Sequence, residues 1–293
     1  MSVDTDLTGP NEATAYGPAQ ATSRLVPSGR GRWLSFWGPP FAVFLAMLGV
    51  WYGVSYLLLS PRRRFLVPPP HDVIQVSFLD RYNLQELLEA LWLSTRVALI
   101  GLAAAIVIGM FLAIAMSQAR WIERSLYPYA VILETVPILA LVPVFGLWFG
   151  FGFFSRVLVC IIIALFPIIA NTLFGLQSVK QEHHDLFTLH DANRFTRLWK
   201  LQLPAALPSI FTGLRISAGL AVIGAIVGDF FFKQADPGIG ILIDLYRARL
   251  QSEQMVAAII LSSLLGIVVF WFFGFVARRV VGSWHESAGG PGS

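Results

Sequence analysis

Apolar runs of about 20 residues recur between residue 39 and residue 276, each long enough to cross a hydrocarbon layer ~30 Å thick. Hydrophobic residues make up 56% of the chain and charged residues 13%, against about 25% charged in soluble domains. A water-soluble protein of this content would have too little polar surface to show solvent. The fold class is therefore an all-α, polytopic membrane protein with six transmembrane helices. The single cysteine, Cys160, lies inside an apolar run, so no disulfide framework exists.

The chain divides by composition. Residues 1–35, rich in Ser, Thr, Gly, Pro and Ala, read as a disordered tail, and a cleavable signal peptide is not expected because no apolar core follows a basic start. Residues 36–90 hold a first span starting near Pro39-Pro40 and a polar connection carrying Arg62-Arg63-Arg64 and a short amphipathic lead-in helix. Residues 91–277 form a core of five further spans, with a loop at 177–208 between spans four and five. Residues 278–293 are a short polar tail. The third span contains Pro137 and Pro143 and should be kinked or broken, and residues 233–254 read as a polar hairpin.

The 177–208 loop is the longest well-charged segment between apolar runs. Glu182–His190 and Arg194–Leu203 read as two short amphipathic helices separated by Asp191-Ala192-Asn193. Asn193 suits the N-cap of the second helix, and Pro204 is expected to end it. Arg194, Arg197 and Lys200 punctuate its apolar positions; they suit either docking to an acidic partner or anchoring an interfacial helix to anionic lipid. The apolar Phe195 and Trp199 suit a partner's groove or the lipid interface equally.

This loop resembles the cytoplasmic signature of ABC-importer permeases of the binding-protein-dependent type. Aligned on Leu203-Pro204, the family's acidic position falls on Asp185, its two Ala positions on Leu186 and Phe187, and its Gly on Asp191. Asp is among the residues that still tolerate the left-handed turn a glycine would make there. From Leu91 to Val276 the order of motifs is similar to the nitrate/sulfonate/taurine branch: Ser94-Thr95-Arg96, the stretch Pro137–Pro143, Leu147–Gly152, Phe166-Pro167-Ile168, Gly228-Asp229-Phe230-Phe231 and Pro237–Gly240. The resemblance implies that Asp185, Leu186, Phe187, Asp191, Ala192, Asn193, Arg194, Arg197, Leu203 and Pro204 contact a separate ATP-binding subunit. It also implies an extracytoplasmic solute-binding protein and, in the lipid bilayer, a permease homodimer or one copy paired with a homologue, with no cofactor and no nucleic-acid partner expected.

Positive charge favours the same orientation. Arg24, Arg30, Arg32, Arg120, Arg124, Lys180, Arg194, Arg197, Lys200, Arg278 and Arg279 fall on the side of the termini. Arg62, Arg63, Arg64, Arg81, Lys233, Arg247 and Arg249 fall opposite. With six spans the bias favours both termini and the loop in the cytoplasm, against the Arg62–Arg64 cluster. The resemblance of the loop to a signature that meets a cytosolic ATPase implies the same side of a prokaryotic plasma membrane.

Three charges inside spans are candidates for a translocation path or gate: Glu134, Arg215 and Asp229. Glu134 and Arg215 each lie ~10 Å deep, counted at about 1.5 Å per residue, where a charge needs a partner or a wet cavity. An ion pair between them at the inner gate is expected, the alternative being Arg215 reaching the headgroups alone. Asp229 and Arg96 are expected to pair at the outer ends of spans five and two. The small residues of span five, with Gly224 and Gly228 four apart, suit close helix packing. His183, His184 and His190 do not share a helix face and read as solvated, so no metal site is expected. No phosphate-binding loop with Lys and Ser/Thr is present and no catalytic set stands out, so the chain reads as a non-catalytic subunit. A carrier or channel driven by an ion gradient remains the rival reading, supported by the broken third span.

Overall fold

The computed structural model describes residues 29–232 and 236–281. The expected N-terminal tail as far as residue 28, Lys233 and the end of the C-terminal tail lie outside them. Two compact units are present, 1–50 and 51–293. The first is described from Gly29 onward by helix α1 (Gly29–Gly53), which starts ahead of the expected Pro39-Pro40 and carries both prolines inside it. Residues 29–35, read as tail, are therefore helical.

In the second unit a π-helical turn, Val54–Leu58, closes the first span. The connection then folds back on it. Trp51 donates from Nε1 to the Pro68 carbonyl at 3.0 Å, and the rings of Tyr52, Tyr56 and His71 stack at 5.9–6.4 Å. Short helix α2 (Pro70–Val73) and a π-helical stretch, Ile74–Leu79, lead to α3 (Arg81–Gln118). The expected lead-in helix and second span are one helix of 38 residues, about 57 Å long at 1.5 Å per residue. Asp80 caps it, its carboxylate accepting from the Tyr82 and Asn83 amides at 2.9 and 3.1 Å.

Next come α4 (Arg120–Thr135) and α5 (Ile138–Phe149), bent 98° from one another. Pro137 lacks the N–H that would continue the ladder, and Val136 before it is extended at ψ 128°. Helix α6 (Phe153–Gln177) follows, then α7 (Gln181–Leu189), the single turn α8 (Arg194–Arg197) and α9 (Leu203–Phe231). Helix α10 (Ile239–Ala248) occupies the expected polar hairpin, and α11 (Ser252–Val281) ends the described chain. Among the described residues, five helical stretches are long and apolar enough to cross a membrane, and α4–α5 makes a sixth if the bent pair is one span.

Pro204 does not stop the loop's second helix. A π-helical turn, Leu198–Gln202, joins α8 to α9, giving an unbroken helical stretch Arg194–Phe231. The proline stands at the start of the α-helical ladder, where its missing donor costs least, and the wider turn ahead of it relieves the clash its ring would cause in a regular helix.

Helices α3, α6 and α9 form the centre. Val97, Ala98, Leu102, Ala105, Cys160, Ala164, Ile168, Ala218, Ala221 and Ala225 are among the buried residues shared between them. Their backbones approach closely because glycine faces the contact. A Cβ on Gly101 would lie 2.4 Å from Cys160 Cβ, and one on Gly224 would lie 3.1 Å from Cys160 Cα. Cys160 is thus held between α3 and α9. A Cβ on Gly213 would meet Asn171 Cβ and the Pro167 carbonyl at 2.8 Å, and Ser217 donates across the same contact to the Ala164 carbonyl at 2.7 Å. Gly219, by contrast, faces open space in a groove of about 800 Å³ between α9 and α11.

Gly101→Val should force α3 from α6 and cost about 1–3 kcal/mol, the usual range for an overpacked core. Gly219→Ala should leave stability unchanged. Thermal unfolding of the two purified variants in detergent, side by side, checks both.

Candidate functional site

The 177–208 loop is built by local rules. Helix α7 ends in a Schellman motif: Asp191 takes the left-handed conformation at φ 51°, its amide donates to the Thr188 carbonyl at 3.0 Å, and the Ala192 amide donates to the Phe187 carbonyl at 2.9 Å. Asn193 then caps α8, its side-chain oxygen accepting from the Thr196 amide at 2.7 Å. Arg197 joins the two helices. Its Nε donates to the Ala192 carbonyl at 3.2 Å and its Nη2 to Thr188 Oγ1 at 3.1 Å. Arg197, read as a charge for docking or lipid anchoring, thus bonds within the loop itself. Gln181 donates to Asp185 at 3.0 Å, one turn along α7.

Leu198 anchors this corner to the bundle: it is buried and packs in the same cluster as Leu176, Ala206 and Ile210, with Leu203 beside it. Pro204 is exposed and Phe187 half-buried. Leu186 and Leu189, 55% and 79% exposed, present an apolar edge of α7 to solvent, as do Phe195 and Trp199 from the other arm, whose rings lie 5.9 Å apart. Arg194, Asp191 and Lys200 are exposed around them. The shape is a rigid, apolar-tipped elbow continuous with α9.

The expected Glu134–Arg215 ion pair is not made. Arg215 lays its guanidinium over the Phe270 ring at 4.3 Å, next to Gly274 of α11, where a cation over an aromatic face is stabilised without a carboxylate. Glu134 is exposed near the C-terminus of α4. The expected Asp229–Arg96 pair is also absent: Arg96 stacks on Trp92 at 5.9 Å, one turn along its own helix.

Asp229 instead pairs with Arg156, a residue the sequence reading passed over, at 3.0 Å. Both are buried, at 0% and 1% exposure. Ser94 donates to the other carboxylate oxygen at 2.6 Å, and the Gly240 amide reaches it at 3.3 Å. The Ile239 amide donates to Ser94 Oγ at 2.9 Å. Arg156 Nη2 donates to the Phe232 and Asp236 carbonyls at 2.9 and 3.0 Å. This network ties α3, α6 and α9 to the start of α10. Gly238 and Gly240 make it possible, since a Cβ on either would collide with Asp229 or with the Ile226 carbonyl. Two separate motifs, Gly228-Asp229 and Pro237–Gly240, are thus one interlocking unit. The available signal for Arg156 was an arginine in the first turn of an otherwise apolar span. On the far side of α10, Tyr246 donates to Glu86 at 2.8 Å. Burial, aided by that carboxylate, pushes the phenol well above its ordinary value, so it stays neutral.

Residues 105–282 match the model of the family described as binding-protein-dependent transport system inner membrane component. The chain belongs to this family. It is the multi-pass, inner-membrane transport component of an ABC importer of the nitrate/sulfonate/taurine branch. Among relatives, it is similar to the formylaminopyrimidine transport permease ThiX of Halalkalibacterium halodurans, 34% identical over 79% of this chain and 90% of that one. It is also similar to the taurine permease TauC of Escherichia coli, 29% identical over 82% and 86%. The nitrate import permease NrtB of Synechocystis is 32% identical over 64% and 67%. The fold is shared with the inward-facing MetNI methionine ABC transporter, with TM-score 0.59 and 15% identity over 69% of this chain and 99% of that one. Among the described residues of this permease no group of three or more His, Cys, Asp or Glu is arranged to hold a metal ion.

Arg156→Met should strand the Asp229 carboxylate and destabilise the permease by about 3–5 kcal/mol, the cost of breaking a buried pair from one side. The double variant Arg156→Met/Asp229→Leu should recover much of that loss. Thermal unfolding of the three proteins reads the difference.

Proposed function

We propose that the elbow formed by α7 and α8 is the surface through which a separate ATP-binding subunit drives this permease. The observation that carries the reading is the combination of an uncovered apolar edge at Leu186 and Leu189 with a stiff connection to α9. Asp185, Phe187, Asp191, Ala192, Asn193 and Arg194 would lie against the partner or shape the turn that meets it. Arg197 would hold the elbow closed, and Leu203 and Pro204 would carry its displacement into the fifth span. A force on α7 passes through the Arg197 clamp and the Leu198 anchor to α9 with no flexible linker between them, as a rigid-body movement requires.

On this reading both termini and the loop face the cytoplasm, and ATP is hydrolysed by the partner, not by this chain. Two copies of the permease line a central path, with Glu134, Arg215 and Asp229 in or around it, and an extracytoplasmic solute-binding protein delivers the solute. Asp229 acts through structure, holding the outer ends of α3, α6 and α9 together. The relatives point to a small polar solute of the formylaminopyrimidine, riboflavin, sulfonate, taurine or nitrate kind.

Leu189→Asp should leave thermal stability within about 0.5 kcal/mol, as for a surface change, yet lower retention of the co-expressed ATPase on an affinity column at least tenfold. Undiminished retention and uptake in Leu189→Asp and Leu186→Asp would remove the coupling role. Uptake into liposomes without ATP would favour an ion-coupled carrier instead.

A further inference from the structure

The position of Glu134 carries an inference about the solute itself, and it rests on the importer reading above. Glu134 is the penultimate residue of α4, two residues before Val136 of the Val136-Pro137 break. Two contacts fix its level in the bundle. The Tyr127 ring lies 6.5 Å from Phe166 near the middle of α6, and α5 beyond the break packs with Leu158, Ile162 and Ile163 of the same helix. The break, with Glu134 beside it, is therefore level with the middle of α6.

No cation neutralises this carboxylate among the described residues. Arg156 is engaged by Asp229 and Arg215 is turned toward Phe270 and α11. Nor does local structure favour it, because an acidic side chain at a helix C-terminus opposes the macrodipole. A bare carboxylate at that depth is expensive against hydrocarbon and tolerable only against water. Thr135 and Pro137 beside it are exposed as well, and the break itself is irregular backbone, which lipid does not accept but a cavity does.

We propose that Glu134 lines the translocation path at the broken span and sets its charge preference, so that the solute carried is an uncharged or cationic molecule with N–H donors and not an oxyanion. An N–H donor passing the carboxylate gains a charge-assisted hydrogen bond. An anion meets a repulsive charge with no counter-charge beside it. For a unit charge a few ångströms away in a wet protein environment the discrimination is on the order of tenfold.

The test uses the complete permease with its ATPase in membranes, with Cys160, the only cysteine, changed to Ala. Thr135→Cys is then labelled with a cationic trimethylammonium-ethyl and an anionic sulfonatoethyl methanethiosulfonate, each rate divided by that with a free thiol. The cationic reagent should react on the order of tenfold faster, and Glu134→Gln should bring the ratio close to unity. Should Thr135→Cys fail to assemble, Val136→Cys serves in the same way. Absence of labelling by either reagent, or a ratio indifferent to Glu134→Gln, overturns the proposal. In a second arm, ATP-dependent uptake of formylaminopyrimidine should fall at least tenfold in Glu134→Arg, and nitrate should not enter through the unaltered importer. Nitrate uptake by that importer overturns the proposal, and where neither solute enters, the labelling ratio decides. Loss of the ATPase partner or ATP-independent uptake would instead sink the importer reading, which the labelling arm does not depend on.

Discussion

Between helices in lipid, apolar side chains gain nothing by turning away from their solvent, because the solvent is as apolar as they are. The bundle must hold together by close van der Waals contact, and that contact is concentrated where glycine lets backbones meet. Gly101 of α3 and Gly224 of α9 both press on Cys160 of α6, and Gly213 presses on the backbone of α6 near Pro167. Everything else hangs from this three-helix centre: α4 and α5 on its flank, α10 across one end, and the elbow at the other.

The two ends of the centre are tied differently. At the α10 end a buried ion pair and its hydrogen bonds join four elements through Arg156, Asp229, Ser94 and the Ile239 and Gly240 amides. A pair so buried is weak evidence for stability in itself, but its geometry leaves one arrangement of the helices in which every charge is met. At the elbow the ties are a Schellman turn, an Asn cap and a clamp by one arginine. These belong to the loop alone and travel with it. The permease therefore has a locked end and a stiff, projecting end, the arrangement expected of a part that transmits movement from one side.

Much of this was legible beforehand. The polytopic helical class followed from run length and charge content, and the left-handed turn at Asp191 and the cap at Asn193 followed from the local chemistry of Asp and Asn. Helix α10 was missed because its sequence is mixed in polarity, although Ile239, Leu242 and Tyr246 at helical spacing are its buried face. The expected stop at Pro204 failed because a π-helical turn, a feature with no sequence signal of its own, lets the chain pass a proline without ending the helix. The span limits set by hydropathy were too short for α3 because polar residues at its start continue the same helix past the bilayer.

The sequence by itself determined the class of molecule, the left-handed turn at Asp191 and the cap at Asn193, since each depends on run length, composition or residues within one or two helical turns of one another. Only the tertiary structure decided which charges meet. Glu134 was matched to Arg215 and Arg96 to Asp229 by depth within the bundle, and depth alone paired them wrongly. Partners are chosen by the rotation of each helix about its axis, and that rotation is set by the glycine contacts between helices far apart in the chain.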